Sequence, residues 1–283
     1  MKSKIITLFS LCLLASVTLF LDSCSKDKDA SPIVLVVVER NSGKLFIVDA
    51  TTGAKTEVAT ITSPTGGTLT NIRGMIYHSP TNKIFASTTT SGGGIIYEID
   101  INSLSASIIN LNADDHWYGV TDLVMTADNK ILASLYFKSS SSVGYGPGLL
   151  TLNTNGTISN SVRFSNEDLL GGMGLTYGSN SNELLISNSG LEIYKSTLSG
   201  TTTLVDSLVP DGFDSEDPYD YSIQNMVKDS KGTIYSTVYG YEDGNTYLAK
   251  VDLSAKKLIK IGMLGEGSSN RYHGLMLIPK NKV

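Results

Sequence analysis

The stretch IRGMIYHSPTNKIFASTTTSGGGIIYEIDINSLSASIINL, residues 72–111, decides the fold. It reads as a strand at GMIY, a polar turn at HSPTN, a second strand at KIFAS, a third at IIYEIDI and a fourth at SIINL. Short runs rich in Ile, Phe and Tyr, bounded by Ser, Pro, Asn and Gly, are the mark of strands and tight turns. Four short strands in succession make one blade of a β-propeller, and the chain repeats the unit about every fifty residues.

Working outward, residues 120–164 carry TDLVM, ADNK, KILASLYF, GLLTLNTNG and SVRF in the same order. Residues 173–208 carry GLTYG, SNSN, ELLISNS, EIYKSTLSG and TLVDSL, and residues 223–264 carry QNMVK, DSKG, TIYSTVYG, YLAKVDLSA and LIKIGML. Second strands begin at Ile84, Ile131, Leu184 and Ile234, and third strands are marked by Asp49, Asp100, Asn153 and Asp252. The N-terminal segment IVLVVVER, KLFIVDATTG, KTEVATI lacks a leading strand, and HGLMLIPKNK at the C-terminus supplies only that strand. The expectation is an all-β propeller of five four-stranded blades, closed by one split blade with one strand from the C-terminus and three from the N-terminus. Such closure removes exposed sheet edges. Gly53, Gly156, Gly200 and Gly232 fall where a hairpin needs positive φ. Residues 209–222 are too short for a sixth blade, and two stacked sheets are the alternative arrangement of periodic strands.

The chain has 283 residues, of which 41% are hydrophobic and 17% charged, enough to bury a sizeable core. Lys2 and Lys4 precede an apolar run, residues 5–21, which reads as a targeting segment, with an uncleaved membrane helix as the alternative. Leu21, Ser23 and Cys24, followed by SKDKDAS, resemble the lipobox of a bacterial lipoprotein, with Asp22 departing from the usual small residue. The resemblance implies a signal peptide over residues 1–23, a lipidated Cys24 and tether over residues 24–31, and a single propeller domain over residues 32–283. It also implies the outer membrane of a Gram-negative bacterium, with the acidic tether similar to signals for the cell surface. Cys12 lies in the leader, so the mature chain has no disulfide. Loss of Lys2, Lys4 and Asp22 takes the formal charge from −5 to about −6. An acidic domain without a basic stripe argues against nucleic acid.

In a propeller, the loops entering the inner strands and those joining second to third strands share the face around the channel mouth. On that basis the candidate ligand-binding residues are Arg73, His116, Trp117, Tyr118, Tyr145, Tyr221, Tyr239, Arg271, Tyr272 and His273. Aromatic faces with a few polar groups grip sugars and other amphipathic ligands, while bracing between blades is the alternative role for such rings. Calcium is the metal that fits Asp214, Glu216, Asp217 and Asp220, although their spacing is not that of an EF-hand. Zinc spacing, GxSxG, Walker and CxxC patterns are absent. Paired carboxylates for glycoside hydrolysis are not evident, since Asp122 is the lone acid within an inner strand.

The blade pattern Gly-apolar-x-apolar, polar turn, Lys-Ile-apolar, apolar-Tyr-x-x-Asp resembles the superfamily of lactonase-like and streptogramin-lyase-like bacterial propellers. That resemblance implies a metal held by Glu, Asn and Asp at the tops of inner strands, and it maps onto Asp122 and Asn225, where other blades have Met75, Leu175 and Leu275. The leading expectation is therefore a lipid-anchored binding propeller for a glycan, peptide or protein. The alternative is a metal-dependent hydrolase or lyase of the lactonase-like kind, since one fold hosts many activities.

Overall fold

The structure is a computed structural model and describes residues 31–90, 93–111, 117–140, 144–166, 168–169 and 171–283. Residues 1–23, read above as a signal peptide, Cys24 and His116 lie outside the described residues. The chain opens with β1 (Ile33–Glu39), β2 (Lys44–Val48) and β3 (Lys55–Thr60). The second blade is β4 (Ile72–His78), β5 (Lys83–Thr90), β6 (Gly93–Asp100) and β7 (Ala106–Leu111). The third is β8 (Trp117–Met125), β9 (Ile131–Ser140), β10 (Gly144–Leu152) and β11 (Ile158–Arg163). The fourth is β12 (Leu175–Tyr177), β13 (Leu184–Ser187), β14 (Glu192–Ser196) and β15 (Thr202–Ser207). After β16 (Val209–Asp211) the fifth follows as β17 (Tyr221–Lys228), β18 (Ile234–Gly240), β19 (Thr246–Asp252) and β20 (Lys257–Gly265). Finally β21 (Tyr272–Pro279) pairs antiparallel with β1, giving the order β21-β1-β2-β3 for the first blade. The five-bladed propeller with a split closing blade is the fold.

Strand periodicity explains how the core is shared. Successive side chains point to opposite faces of a strand, so a blade packed between two others buries both sets. In β1, Val36 and Val38 join a cluster with Ile72, Met75 and Ile84 of the second blade, while Leu35 and Val37 join one with Leu248 and Leu264 of the fifth. Three further clusters fill the interfaces between the second and third, third and fourth, and fourth and fifth blades. The hydrophobic core is therefore a set of layers between blades, and the last layer connects the fifth blade back to the first.

Turn chemistry fixes the register. Gly53, Gly156, Gly200 and Gly232 all have positive φ, as the hairpins require. At Gly156 a side chain is excluded for a second reason, because a Cβ would collide with the Ile109 carbonyl of the neighbouring blade. The Asp at the end of the third strand in three blades is a turn device: Asp49 Oδ1 accepts from the Thr51 and Thr52 amides at 2.8 and 2.9 Å, and Asp100 and Asp252 make the same pair of bonds. A bond from the Thr51 hydroxyl at 2.6 Å, together with those amides, favours the ionised form and holds the Asp49 carboxyl down at about 2. Residues 209–222, too short for a sixth blade, still contribute β16, which runs parallel to β20 as a fifth strand on the outer edge. Its central Pro210 lacks an amide to donate and is tolerated there because the position is an edge.

Candidate functional site

Inner strands of the propeller carry bulges near the channel mouth, with register shifts between Ile72 and Met75, Val120 and Asp122, and Ile223 and Asn225. Bulges re-aim side chains. They bring Asp122 and Asn225, both fully buried, into contact across the axis: Asn225 Nδ2 donates to Asp122 Oδ1 at 3.0 Å. Asp122 Oδ1 also accepts from the Leu123 amide at 3.0 Å, and Oδ2 accepts from the amides of Leu175 and Met226 at 2.9 Å each. Asn225 Nδ2 further donates to the carbonyls of Arg73 (2.9 Å) and Thr121 (3.2 Å), and its Oδ1 accepts from Thr237 Oγ1 (3.1 Å) and the Gly274 amide (2.9 Å). Two side chains thereby tie together all five inner strands. Burial pushes the Asp122 carboxyl up to about 7, against the pull of its N–H donors.

For the metal that the resemblance implies at Asp122 and Asn225, the donor oxygens are already engaged in hydrogen bonds. Both Asp122 oxygens already accept N–H bonds, and the Asn225 carbonyl oxygen accepts two more, so the pair is arranged as a structural hub. Among the described residues no three His, Cys, Asp or Glu side chains converge on one point.

Around the mouth stand three arginines. Arg40 follows the second strand of the first blade, Arg271 precedes its inner strand, and Arg73 lies at the start of the second blade's inner strand. Backbone bonds bring the segments together: the Arg40 amide donates to the Arg271 carbonyl at 2.8 Å, and the Asn71 amide donates to the Arg40 carbonyl at 2.7 Å. All three side chains are half-buried. Desolvation, then repulsion from Arg40 and Arg271, lowers Arg73 to about 10, and desolvation followed by Arg271 lowers Arg40. Arg271 donates to the Tyr239 hydroxyl at 2.6 Å, with its guanidinium carbon 4.0 Å from that ring's centroid. Tyr239 meets Tyr241 edge-on at 5.6 Å, and the Tyr241 hydroxyl donates to the Ser189 carbonyl at 2.9 Å. His273 is buried behind this cluster, and burial together with the three guanidiniums holds its imidazole well below its ordinary range, hence neutral.

The sequence candidates thus divide. Arg73, Tyr239 and Arg271 gather at the mouth. Tyr221 is buried, with its hydroxyl accepting from the Ser215 amide and its ring 4.7 Å from Phe213, so it braces the 211–221 loop. Tyr272 is buried against Phe46 in the layer between fifth and first blades, with Lys55 Nζ 3.8 Å from its centroid. Trp117 and Tyr118 open the third blade's inner strand and Tyr145 lies in its third strand. Three of the four carboxylates expected to pool for calcium serve separate partners instead: Asp214 pairs with Lys260 at 3.8 Å, Asp217 accepts from the Tyr219 amide at 2.9 Å, and Asp220 accepts from Ser215. Arg40 was not among the candidates, since a single arginine after VVVE carries no local signal.

No family model matches the sequence, and no curated protein is similar to it. A chain of the nidogen/laminin complex superposes with a TM-score of 0.56 at 9% identity, covering 87% of this chain and 98% of that one. TolB from Acinetobacter baumannii gives 0.47 at 11% identity over 87% of this chain and 66% of that one. A gluconolactonase from Xanthomonas campestris gives 0.46 at 14% identity over 80% and 75%. At such identities the likeness is one of fold alone.

Proposed function

We propose that this chain is a binding propeller, anchored through a lipidated Cys24 to the outer membrane of a Gram-negative cell, that captures a glycan, peptide or protein ligand on its channel-mouth face. One observation carries the reading: gripping groups are presented at the mouth while the acid and amide of a hydrolase are occupied inside. Arg40, Arg73 and Arg271 stand together beside Tyr239 and Tyr241, and arginine and tyrosine are the side chains that dominate binding energy at recognition surfaces. Asp122 and Asn225, by contrast, are bonded to neighbouring strands. A carboxylate enclosed by four N–H donors has little capacity left to move a substrate proton.

The test is retention on glycan and peptide arrays. Tyr241 is 51% exposed, so Tyr241→Ala leaves the core intact, and it should weaken retention about tenfold on whichever probes the native chain retains. Retention on no probe by the native chain would sink the reading. For the anchor, Cys24→Ala should release the protein from the membrane fraction of cells, and a variant that stays membrane-bound would remove that part of the proposal.

A further inference from the structure

We infer that the channel mouth is an oxyanion site, taking a group with more than one negative charge, such as a phosphate, a sulfate ester or adjacent carboxylates, on the bound ligand. The inference rests on the binding reading above and specifies its chemistry. Backbone bonds hold the three arginine segments side by side, and Arg271 stands close enough to help lower both Arg40 and Arg73. Holding like charges together, half-buried, is unfavourable unless something neutralises them. Among the described residues every ion pair belongs to a lysine, and none of these three arginines is paired with a carboxylate.

Unused hydrogen-bonding capacity lies at the same end of the blades. Among the described residues Arg40 Nε and Arg271 Nε are buried without a partner, and so is the hydroxyl of Thr88 near the end of β5. Thr88 lies opposite Ile72, which places it beside the start of Arg73's strand, while Thr89 turns its side chain toward Gly119 of the third blade. A buried donor left unpaired costs about 1–3 kcal/mol, so several in one place ask for an acceptor. Guanidinium forks match oxyanions in shape as well as charge. One carboxylate would leave two of the three positive charges uncompensated, and a doubly charged group leaves fewer. The chain as a whole carries −5, so this concentration of positive charge is local and not a general property of the surface.

The experiment uses the purified full chain with inorganic phosphate, sulfate and citrate, read by thermal melting and titration calorimetry, with a neutral sugar as control. Each supporting anion should raise the melting temperature with concentration, as binding to the native state requires, and Arg73→Gln should weaken apparent affinity at least about tenfold. In anion-free buffer Arg40→Gln should melt higher than the native chain, because one of three repelling charges is gone. A response to phosphate and sulfate alone assigns a tetrahedral oxyanion, and one to citrate alone assigns paired carboxylates. No response of the native chain to any anion, or an equal response in Arg73→Gln and Arg40→Gln, overturns the inference. Array retention that survives Arg73→Gln but is lost in Tyr241→Ala would refute the oxyanion site and leave the binding reading standing. Anion responses without array retention would do the reverse.

Discussion

Asp122 sets the price of burying a charge against the value of tying strands together. Its burial pushes the carboxyl up to about 7, from an ordinary value near 3.9 in an unfolded chain. Between about pH 4 and 7 the folded state therefore holds more protons than the unfolded one, so the stability from this group is full at the acid end and is lost as pH rises through 7. His273 works in the opposite sense. Burial and three nearby guanidiniums lower its folded pKa, so its contribution is present above about 6.5 and is lost as pH falls. In the native protein the two slopes oppose each other just below neutrality. Asp122→Asn should remove the first, so that stability from denaturant unfolding rises from about pH 5 to 7 on the His273 slope alone. It should also cost about 1–3 kcal/mol at neutral pH, because one carboxylate oxygen becomes an NH2 group facing N–H donors. A pH slope identical to that of the native chain would show that Asp122 does not titrate in this window.

At three of the five seams between blades, one serine does for the pair what the hub does for the whole ring. Ser87 Oγ donates to the Val120 carbonyl at 3.2 Å, Ser134 Oγ to the Met173 carbonyl at 2.6 Å, and Ser187 Oγ to the Ile223 carbonyl at 3.1 Å, each from a second strand to the next blade's inner strand or, at Met173, to the residues leading into it. The equivalent Ser236 is buried with its hydroxyl unpaired, and at that seam Asn225 instead takes the Gly274 amide. Ser134→Ala should therefore lose about 1–2 kcal/mol, whereas Ser236→Ala should be neutral or slightly stabilising, both measured by chemical unfolding. Equal losses at the two sites would refute the stitching role. The serines recur openly in KIFAS, KILAS, ELLIS and TIYS, yet an alternating strand pattern tells which face a residue takes and not which carbonyl it meets. Blade boundaries and the split closure were legible, because strand periodicity and turn residues are local signals. The sequence also marked Asp122 and Asn225 as exceptional, but their role as hub depends on amides from three other blades. Arg40 became part of a site only when ring closure set it against Arg271 and the strand carrying Arg73.

At the scale of the molecule, closure by β21 is the step on which the remaining layers depend. This strand delivers Met276 and Ile278 to the layer between first and second blades, and Tyr272 and Leu275 to the layer between fifth and first. At about 1.5–3 kcal/mol for each buried large side chain, these four together are worth about 6–12 kcal/mol, comparable to the whole stability of an ordinary domain. Removal of residues 272–283 should therefore unfold the chain outright, and it would leave β1, with its buried Leu35, Val36, Val37 and Val38, as an unpaired edge prone to aggregation. Covalent order matters much less than closure. Ile33 pairs with Pro279, so the two ends of the propeller lie one strand spacing apart. A circular permutant that joins residue 283 to residue 33 through a short Gly-Ser linker, and opens the chain between Gly66 and Gly67, keeps every strand of the ring. Both glycines have open space around them, and exposed loop tips tolerate such cuts. The permutant should melt cooperatively within a few degrees of the parent, on the scale of about 2–4 °C per kcal/mol for a domain of this size. A soluble, cooperatively folded truncation beside a permutant that fails to fold would show that the ring is held by something other than its closing strand.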